Sequence, residues 1–276
     1  MRIIADTATL LSPEEGRELG MTVIPVCVII NGTSYKDYEE ISSAEFLQMV
    51  ADGGVPTSSQ PSLGDVLEVL EANGEETLML TVGDGLSGAY QTAMGARNCM
   101  ENPERIHILN SGTLAGPLRH LAKKAVALKE KGLDIEKIKE ELQRCIESSM
   151  SFVIPADFEF LKRSGRLTPI AAKIGGALKL LPVLTQTKDR TRITPVTVKR
   201  TWKSAVEAIL QRMQSVGVNE NYLISISHAG VCDRAASVFK QVKERFGAVD
   251  TEMLELSPAL MTHGGPGCIV VQAILK

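Results

Sequence analysis

Thr77-Leu78-Met79-Leu80-Thr81-Val82-Gly83-Asp84-Gly85-Leu86-Ser87-Gly88 is the stretch that decides the fold class. Its first six residues form an apolar run typical of a buried strand, and its glycines then lead into a helix predicted over residues 89–100. Glycine allows close backbone approach, and the amino end of a helix offers free N–H groups at the positive end of its dipole. The turn therefore predicts a place where an anion can bind, with the Ser87 hydroxyl as a further donor.

The same strand-then-helix order continues on both sides of this turn. The predicted strands are residues 2–5, 22–30, 77–82 and 105–109, and the predicted helices begin at Ser12 and then cover residues 43–51, 63–73, 89–100, 114–131 and 134–149. Strands that alternate with helices predict βαβ units and a mostly parallel sheet. Residues 1–150 are thus predicted to form an N-terminal α/β domain with a Rossmann-like parallel sheet.

The pattern changes near Met150. Residues 182–187 and 192–198 predict a hairpin, residues 222–227 and 267–275 predict strands, and residues 171–180, 202–215 and 234–246 predict helices. Hairpins mixed with helices favour a second domain over residues 151–276, of α+β type, with a mixed or antiparallel sheet.

Composition excludes several classes of function. The net charge is −3 and aromatic residues make up only 4%, so a nucleic-acid-binding surface is not expected. The five cysteines are an odd number without a CxxC pair, which indicates a reducing cytoplasm and neither a disulfide framework nor a zinc site. An acid at Asp6 argues against a signal peptide, and apolar runs all stay below the ~18 residues that a membrane span needs.

Two loops offer three candidates for a functional site. Gly83-x-Gly85-x-x-Gly88 matches a dinucleotide-binding fingerprint, but Asn110 stands where an acid would hold the ribose. Ser87 is a candidate nucleophile of an acyl hydrolase, with His263 or His228 as its base. The third candidate, Ser58-Ser59-Gln60-Pro61-Ser62, is interpreted either as a second anion-binding loop or as a helix cap.

Further motifs follow one another along the whole chain. They are Ile4-Ala5-Asp6-Thr7, Val23-Ile24-Pro25-Val26, Tyr35-Lys36-Asp37, Thr57-Ser58-Ser59-Gln60-Pro61-Ser62, Gly85-Leu86-Ser87-Gly88-Ala89-Tyr90, Leu161-Lys162-Arg163-Ser164-Gly165-Arg166-Leu167, Leu181-Pro182-Val183-Leu184, Lys199-Arg200, Ser227-His228-Ala229-Gly230 and His263-Gly264-Gly265-Pro266-Gly267. In this joint order they resemble the DegV family of bacterial fatty-acid-binding proteins.

The resemblance implies a single long-chain fatty acid bound between two domains, with its tail in an apolar tunnel. It implies that the chain is not an enzyme by itself, needs no cofactor or metal, and is the acyl-carrying subunit of a fatty acid kinase. A separate ATP-binding subunit would phosphorylate the bound carboxylate, and transient membrane contact would allow lipid exchange. The residues implied to bind the carboxylate are Ser58, Ser87 and His263, with Gly88, Ser59 and Arg166 as further candidates.

This implied site agrees with elementary energetics. A buried carboxylate needs hydrogen-bond donors, because its desolvation otherwise costs several kcal/mol. Each buried methylene of the tail contributes about 0.8 kcal/mol. One departure from the family pattern is Asp84, whose acidic group would weaken the binding of a second anion unless it points outward.

Overall fold

The chain alternates short strands with helices throughout. This computed structural model describes residues 1–72, 74–173 and 180–276. In the described residues the strands are β1 (Arg2–Asp6), β2 (Thr22–Ile24), β3 (Cys27–Ile30), β4 (Thr33–Lys36), β5 (Pro56–Ser59), β6 (Thr77–Thr81), β7 (Ile106–Asn110), β8 (Met150–Ile154), β9 (Leu181–Gln186), β10 (Ile193–Lys199), β11 (Tyr222–His228), β12 (Asp250–Glu255) and β13 (Ile269–Leu275).

Helices connect these strands. In the described residues the α-helices are α1 (Pro13–Glu18), α2 (Ser43–Ala51), α3 (Leu63–Glu71), α4 (Ala89–Cys99), α5 (Ala115–Glu130), α6 (Ile135–Ser148), α7 (Phe158–Arg163), α8 (Pro169–Ala172), α9 (Trp202–Ser215), α10 (Cys232–Phe246) and α11 (Pro258–Gly264). Of the helix predicted over 171–180, residues 174–179 lie outside the described residues. Within the described part of the chain, no helix has both the length and the apolar character that crossing a membrane requires.

The first sheet is parallel and has the strand order β2-β1-β6-β7. All five residues of β6 are buried, as the apolar run in the sequence predicts. The strand that follows β1 in the chain, β2, lies on one side of it. The strand that follows β6, β7, lies on the opposite side, so the strand order reverses between β1 and β6. Loops at the carboxyl ends of the strands on either side of such a reversal commonly form a ligand crevice.

The second sheet has the order β10-β9-β8-β13-β11-β12. Its neighbouring strands are antiparallel except for β11 and β12, which are parallel. The predicted fold class, a parallel N-terminal sheet followed by a mixed C-terminal sheet, is confirmed. The division into domains at residues 150 and 151 stays a prediction, although β8 begins at Met150.

Helices α5 and α6 join the two sheets. Leu118, Leu121, Ile138 and Leu142 on these helices are fully buried in one cluster with β1 and β6, and Ile274 of β13 belongs to the same cluster. The burial of apolar side chains is the main source of stability in a domain. The two sheets are therefore held in a common interior.

Two predictions about the N-terminal half were wrong. Residues 22–30 form two strands in different sheets, because Pro25 cannot donate a ladder hydrogen bond and the chain leaves the parallel sheet there. Residues 56–59, predicted as a loop, form β5, which pairs with β3 in a three-stranded antiparallel sheet. Strands β4 and β12 and helices α7 and α11 were also not predicted from the sequence.

Candidate ligand-binding site

Two adjoining cavities lie at the carboxyl edge of the parallel sheet. The first, here called the polar cavity, encloses about 700 Å³ of space counted out to its open mouth. Its polar walls are Ser58, Gln60, Ser87, Ser164, Arg166 and His263. Ala8 follows β1 and Val82 follows β6, and both line this cavity, so it occupies the predicted crevice between these strands.

The second cavity, here called the apolar cavity, encloses about 650 Å³ counted in the same way. Its surface is almost entirely hydrocarbon, and the residues that line it include Phe152, Val153, Leu256 and Val270. Among the described residues, those that line both cavities are Leu86, Leu114, Leu161, Ile193, Leu260 and His263. A polar chamber that continues into an apolar one fits a ligand with one polar end and a hydrocarbon body.

Ser58 and His263 meet in the polar cavity although they are 205 positions apart in the chain. Ser58 Oγ and His263 Nε2 are hydrogen-bonded at 2.8 Å. Strand β5 carries Ser58, which lies opposite Val28 of β3. Helix α11 carries His263, and this helix begins after Ser257, whose side chain accepts from Leu260 N.

His263 is neutral at pH 7. Burial, together with the positive charge of Arg166, lowers the pKa of its imidazole to about 4. A neutral imidazole has one N–H donor and one acceptor nitrogen. In either tautomer the pair keeps one donor that is not used between its two members, either His263 Nδ1–H or the Ser58 hydroxyl.

Ser87 lies at the amino end of α4, as predicted. Its Oγ accepts a hydrogen bond from Ala89 N at 3.2 Å, which leaves the hydroxyl proton for a partner in the polar cavity. Gly88 is the N-cap of α4. It does not line the polar cavity, and a Cβ added there would lie 2.9 Å from Gln60 Nε2.

Arg166 brings a cation to the same cavity. Its Nε donates to Leu86 O at 3.0 Å, and its Nη1 donates to Ser164 O. Burial and the charge of Arg192 lower the pKa of the guanidinium, but an arginine remains charged at pH 7. The cation is thus held half-buried against the loop that carries Ser87.

Ser59 and Asp84 point away from the polar cavity. Ser59 is exposed and its hydroxyl donates to Gln60 O at 3.2 Å. The Asp84 carboxylate accepts from Gly85 N at 3.1 Å and from Gln91 Nε2 at 3.0 Å. Asp84 does not line the polar cavity, so its negative charge points outward and does not oppose the binding of an anion there.

The glycine turn has a packing explanation that involves no nucleotide. Asn110 Oδ1 accepts from Asp84 N and Gly112 N at 3.1 and 3.0 Å, so its side chain orders the loops themselves. Gly85 has a φ of +86°, and a Cβ there would lie 2.7 Å from Thr191 Cβ. The β9–β10 loop therefore covers the turn where a phosphate would bind.

The hydrolase hypothesis is not supported by the geometry around Ser87. Within the described residues, Ser87 is not hydrogen-bonded to a histidine, and His263 is hydrogen-bonded to Ser58 instead. His228 ends β11 and does not line either cavity. A histidine with a pKa near 4 is also a weak general base at neutral pH.

A pair of buried acids beneath the site, Asp6 and Asp37, was not predicted from the sequence. Asp6 Oδ1 accepts from Ala8 N at 2.9 Å, and Asp37 Oδ1 accepts from Ala259 N at 3.4 Å. Ala8 and Ala259 both line the polar cavity. Burial raises the pKa of Asp6 to about 7, helped by the charge of Asp37, and burial raises the pKa of Asp37 to about 6. Short motifs around both acids were noted, but nothing in the sequence placed them together.

Comparison with known proteins gives the family. A family model described as "Uncharacterised protein, DegV family" matches residues 1–276, the whole chain. The chain belongs to the DegV family. A DegV domain-containing protein from Halalkalibacterium halodurans is 27% identical over 276 residues, which cover 97% of this chain and 95% of that protein.

Solved structures of DegV family proteins have the same fold. A structure from Thermus thermophilus, described as "Fatty Acid Binding of a DegV family Protein", is 29% identical with a TM-score of 0.89 and covers 100% of both chains. A DegV family structure from Ruminococcus gnavus, described with vaccenic acid, is 24% identical with a TM-score of 0.88 and covers 98% of both chains. Structures of homologues in this family thus carry bound long-chain fatty acids.

Proposed function

We propose that this DegV family protein binds one long-chain fatty acid, with the carboxylate in the polar cavity and the tail in the apolar cavity. The observation that carries the proposal is the continuity of the two cavities through shared walls at Leu86, Leu114 and His263. The description of the Thermus thermophilus relative as fatty-acid-binding supports it.

The polar cavity supplies the donors that a carboxylate needs. Ser87 has a free hydroxyl proton, and the Ser58–His263 pair contributes one more donor. Arg166 offsets the negative charge, and hydrogen bonds to a charged group are each worth about 1.5–3 kcal/mol. Because His263 is neutral, it supplies a hydrogen bond without adding a second buried charge.

The bound fatty acid is proposed to be a substrate that this chain presents to a partner. The partner is a separate ATP-binding kinase subunit, in which a carboxylate oxygen attacks the γ-phosphorus of ATP and ADP leaves, giving an acyl phosphate. This chain then contributes binding and orientation and no catalytic group, and its place of action is the cytoplasm. Transient membrane contact would allow it to exchange its lipid.

The first experiment identifies the cargo. Purified protein is extracted with organic solvent and the extract is analysed by mass spectrometry, while native mass spectrometry gives the stoichiometry of the intact complex. One fatty acid per chain is expected. Protein that carries no acyl chain and does not bind added fatty acids would overturn the proposal.

Ser58→Ala and Ser59→Ala form a matched pair that tests the head-group site. Ser58→Ala removes one partner of His263 in the cavity and is expected to weaken fatty-acid binding about tenfold, the effect of one hydrogen bond to a charged group. Ser59→Ala makes the same chemical change at an exposed neighbour and should leave binding unchanged. Equal effects of the two substitutions would contradict the assignment of Ser58.

The kinase role has its own test. In the presence of the ATP-binding subunit, Ser87→Ala and His263→Ala are expected to reduce acyl-phosphate formation more than they reduce thermal stability. Full activity of both variants at subsaturating fatty acid would argue against their contact with the carboxylate. If the protein bound fatty acid but no candidate kinase formed an acyl phosphate from it, the protein would be a carrier and the kinase role would be ruled out.

A second candidate function, acyl-ester hydrolysis, rests on the Ser58–His263 contact of 2.8 Å. This contact has the distance of a nucleophile and its base, but the low pKa of His263 makes it a weak base at neutral pH, and no carboxylate of the described residues is hydrogen-bonded to it. Turnover of acyl esters that disappears in Ser58→Ala would establish hydrolysis. An inactive wild type across a range of chain lengths would remove it.

A further inference from the structure

The six-stranded sheet is incomplete between β8 and β9. Strand β8 pairs with β13 at all five of its residues, from Met150 to Ile154. Within the described residues it pairs with β9 only at Phe152–Thr185 and Val153–Leu184. Where the next pair would continue the ladder, the Thr185 hydroxyl donates to Ser151 O at 2.7 Å. A side chain thus replaces backbone pairing at this point, which we call the β8–β9 seam.

The seam separates two spaces. The apolar cavity lies on one side, and on the other lies an outer groove lined by Met150, Pro195, Val196, Arg212 and Val216. Phe152, Thr185 and Gln186 line both spaces, so among the described residues the two spaces meet at these three positions. The outer groove faces solvent, since Val196 and Val216 are 41% and 48% exposed.

The β8–β9 seam lies where the far end of a bound tail would be. The apolar cavity adjoins the polar cavity at walls such as Leu86 and Leu260, whereas the three seam residues line only the apolar cavity and the outer groove. A chain whose carboxylate lies beside Ser87 therefore directs its methyl end away from the polar cavity. Gln186 is anchored in this wall, because its Nε2 donates to Gly112 O at 2.9 Å.

We propose that Phe152 and Thr185 at the β8–β9 seam form the end stop of the acyl tunnel and set the longest fatty acid that the protein accepts. This inference rests on the proposed function and adds a determinant of chain length to it. Each methylene that finds apolar room strengthens binding about fourfold. A methylene beyond the stop finds no such room unless it displaces the Phe152 ring or breaks the Thr185–Ser151 hydrogen bond.

Thr185→Ala and Phe152→Leu test the end stop. Both substitutions shorten a side chain at the seam, and leucine rather than alanine is chosen at Phe152 because this ring is buried in the core. The affinity of saturated fatty acids of increasing length is measured by competition. For the wild type, affinity should rise with length up to a limit and then fall. In both variants the limit should move by about two carbons, with roughly tenfold tighter binding of the first lengths that the wild type rejects.

Thr197→Ala is the matched control. Thr197 lies on the neighbouring strand β10 and lines neither the apolar cavity nor the outer groove, so its loss should leave the length limit unchanged. Circular dichroism confirms that each variant is folded before binding is measured. A length limit that stays unchanged in both seam variants, while the wild type binds fatty acids, would overturn the end stop alone. A wild type that binds no fatty acid of any length would overturn the proposed function and the end stop with it.

Discussion

At the scale of single residues, burial determines the chemistry of the site. His263 and the acids Asp6 and Asp37 are ordinary titratable side chains, and their pKa values all shift toward the neutral form because water is excluded. Asp6 and Asp37 are 1% and 0% exposed, and the Oδ2 atom of each carries no hydrogen bond from the described residues. Neutral acids are therefore expected beneath the polar cavity at mildly acidic pH.

A prediction about pH follows from Asp6. Its pKa is about 7 in the folded protein and 3.8 as the reference value, so between these limits the folded protein holds a proton that the unfolded chain releases. The free energy of unfolding should therefore fall as pH rises from about 4 to 7. Asp6→Asn keeps an acceptor for Ala8 N, and it should make this fall smaller by roughly 1 kcal/mol or more. Urea unfolding at pH 5 and pH 8 measures the difference.

The control for this prediction is Asp134→Asn. Hydrogen bonds from Lys137 lower the pKa of the Asp134 carboxyl group, which is therefore ionised throughout the window. Asparagine also serves as an N-cap, so this substitution should leave the pH dependence of stability unchanged. If Asp6→Asn showed the same pH dependence as the wild type, the raised pKa of Asp6 would be refuted.

At the scale of helices and strands, close packing explains the presence of glycine inside a helix, which helix propensity does not explain. Gly116 lies in the first turn of α5, where a Cβ would lie 2.2 Å from Ser225 Cβ of β11. Gly95 lies inside α4, where Leu63 Cδ1, at 4.0 Å, is the nearest atom to an added Cβ apart from its chain neighbours and the helix backbone. The two glycines thus differ in the space around them.

Alanine at these two positions should therefore have opposite effects on stability. Gly116→Ala forces α5 away from β11 and is expected to destabilise the protein by about 1–3 kcal/mol. Gly95→Ala improves helix propensity and should stabilise it by up to about 1 kcal/mol. Chemical unfolding measures both. If Gly116→Ala did not lower the free energy of unfolding, α5 and β11 would be packed less closely than they are in the structure.

At the scale of the whole molecule, the site depends on segments that are far apart in the chain. Ser58 comes from β5, Ser87 precedes α4, Arg166 follows α7, and His263 comes from α11. The core around α5 and α6 holds the two sheets together beneath them. A ligand in these cavities would contact residues of both halves of the chain, which come together only in the folded form.

Fatty acid should consequently stabilise the whole fold. At a free concentration of 100 times Kd the gain is about 2.7 kcal/mol, which should raise Tm by roughly 5 °C. A thermal scan with and without ligand measures the shift. A fatty alcohol of the same length, which lacks the carboxylate, should give a smaller shift. An equal shift with the alcohol would show that Ser87 and Arg166 do not recognise the charged end.

The sequence by itself determined the alternation of strands and helices, the glycine turn at 83–88, the helix starts at Ser12 and Asp134 and the membership of the DegV family. These features are local or follow a fixed order, so backbone sterics and residue periodicity suffice to predict them. Short elements were predicted less well, because seven residues of α11 or four of β5 are too few for a periodic pattern.

Only the tertiary structure decided which candidates share a cavity. It joined Ser58 to His263, turned Ser59 and Asp84 outward, buried Asp6 near Asp37, and opened the seam between β8 and β9. These outcomes depend on how two sheets pack around α5 and α6, and on the exclusion of water that results. Contacts across such distances in the chain come from packing the whole molecule, and no local pattern of residues encodes them.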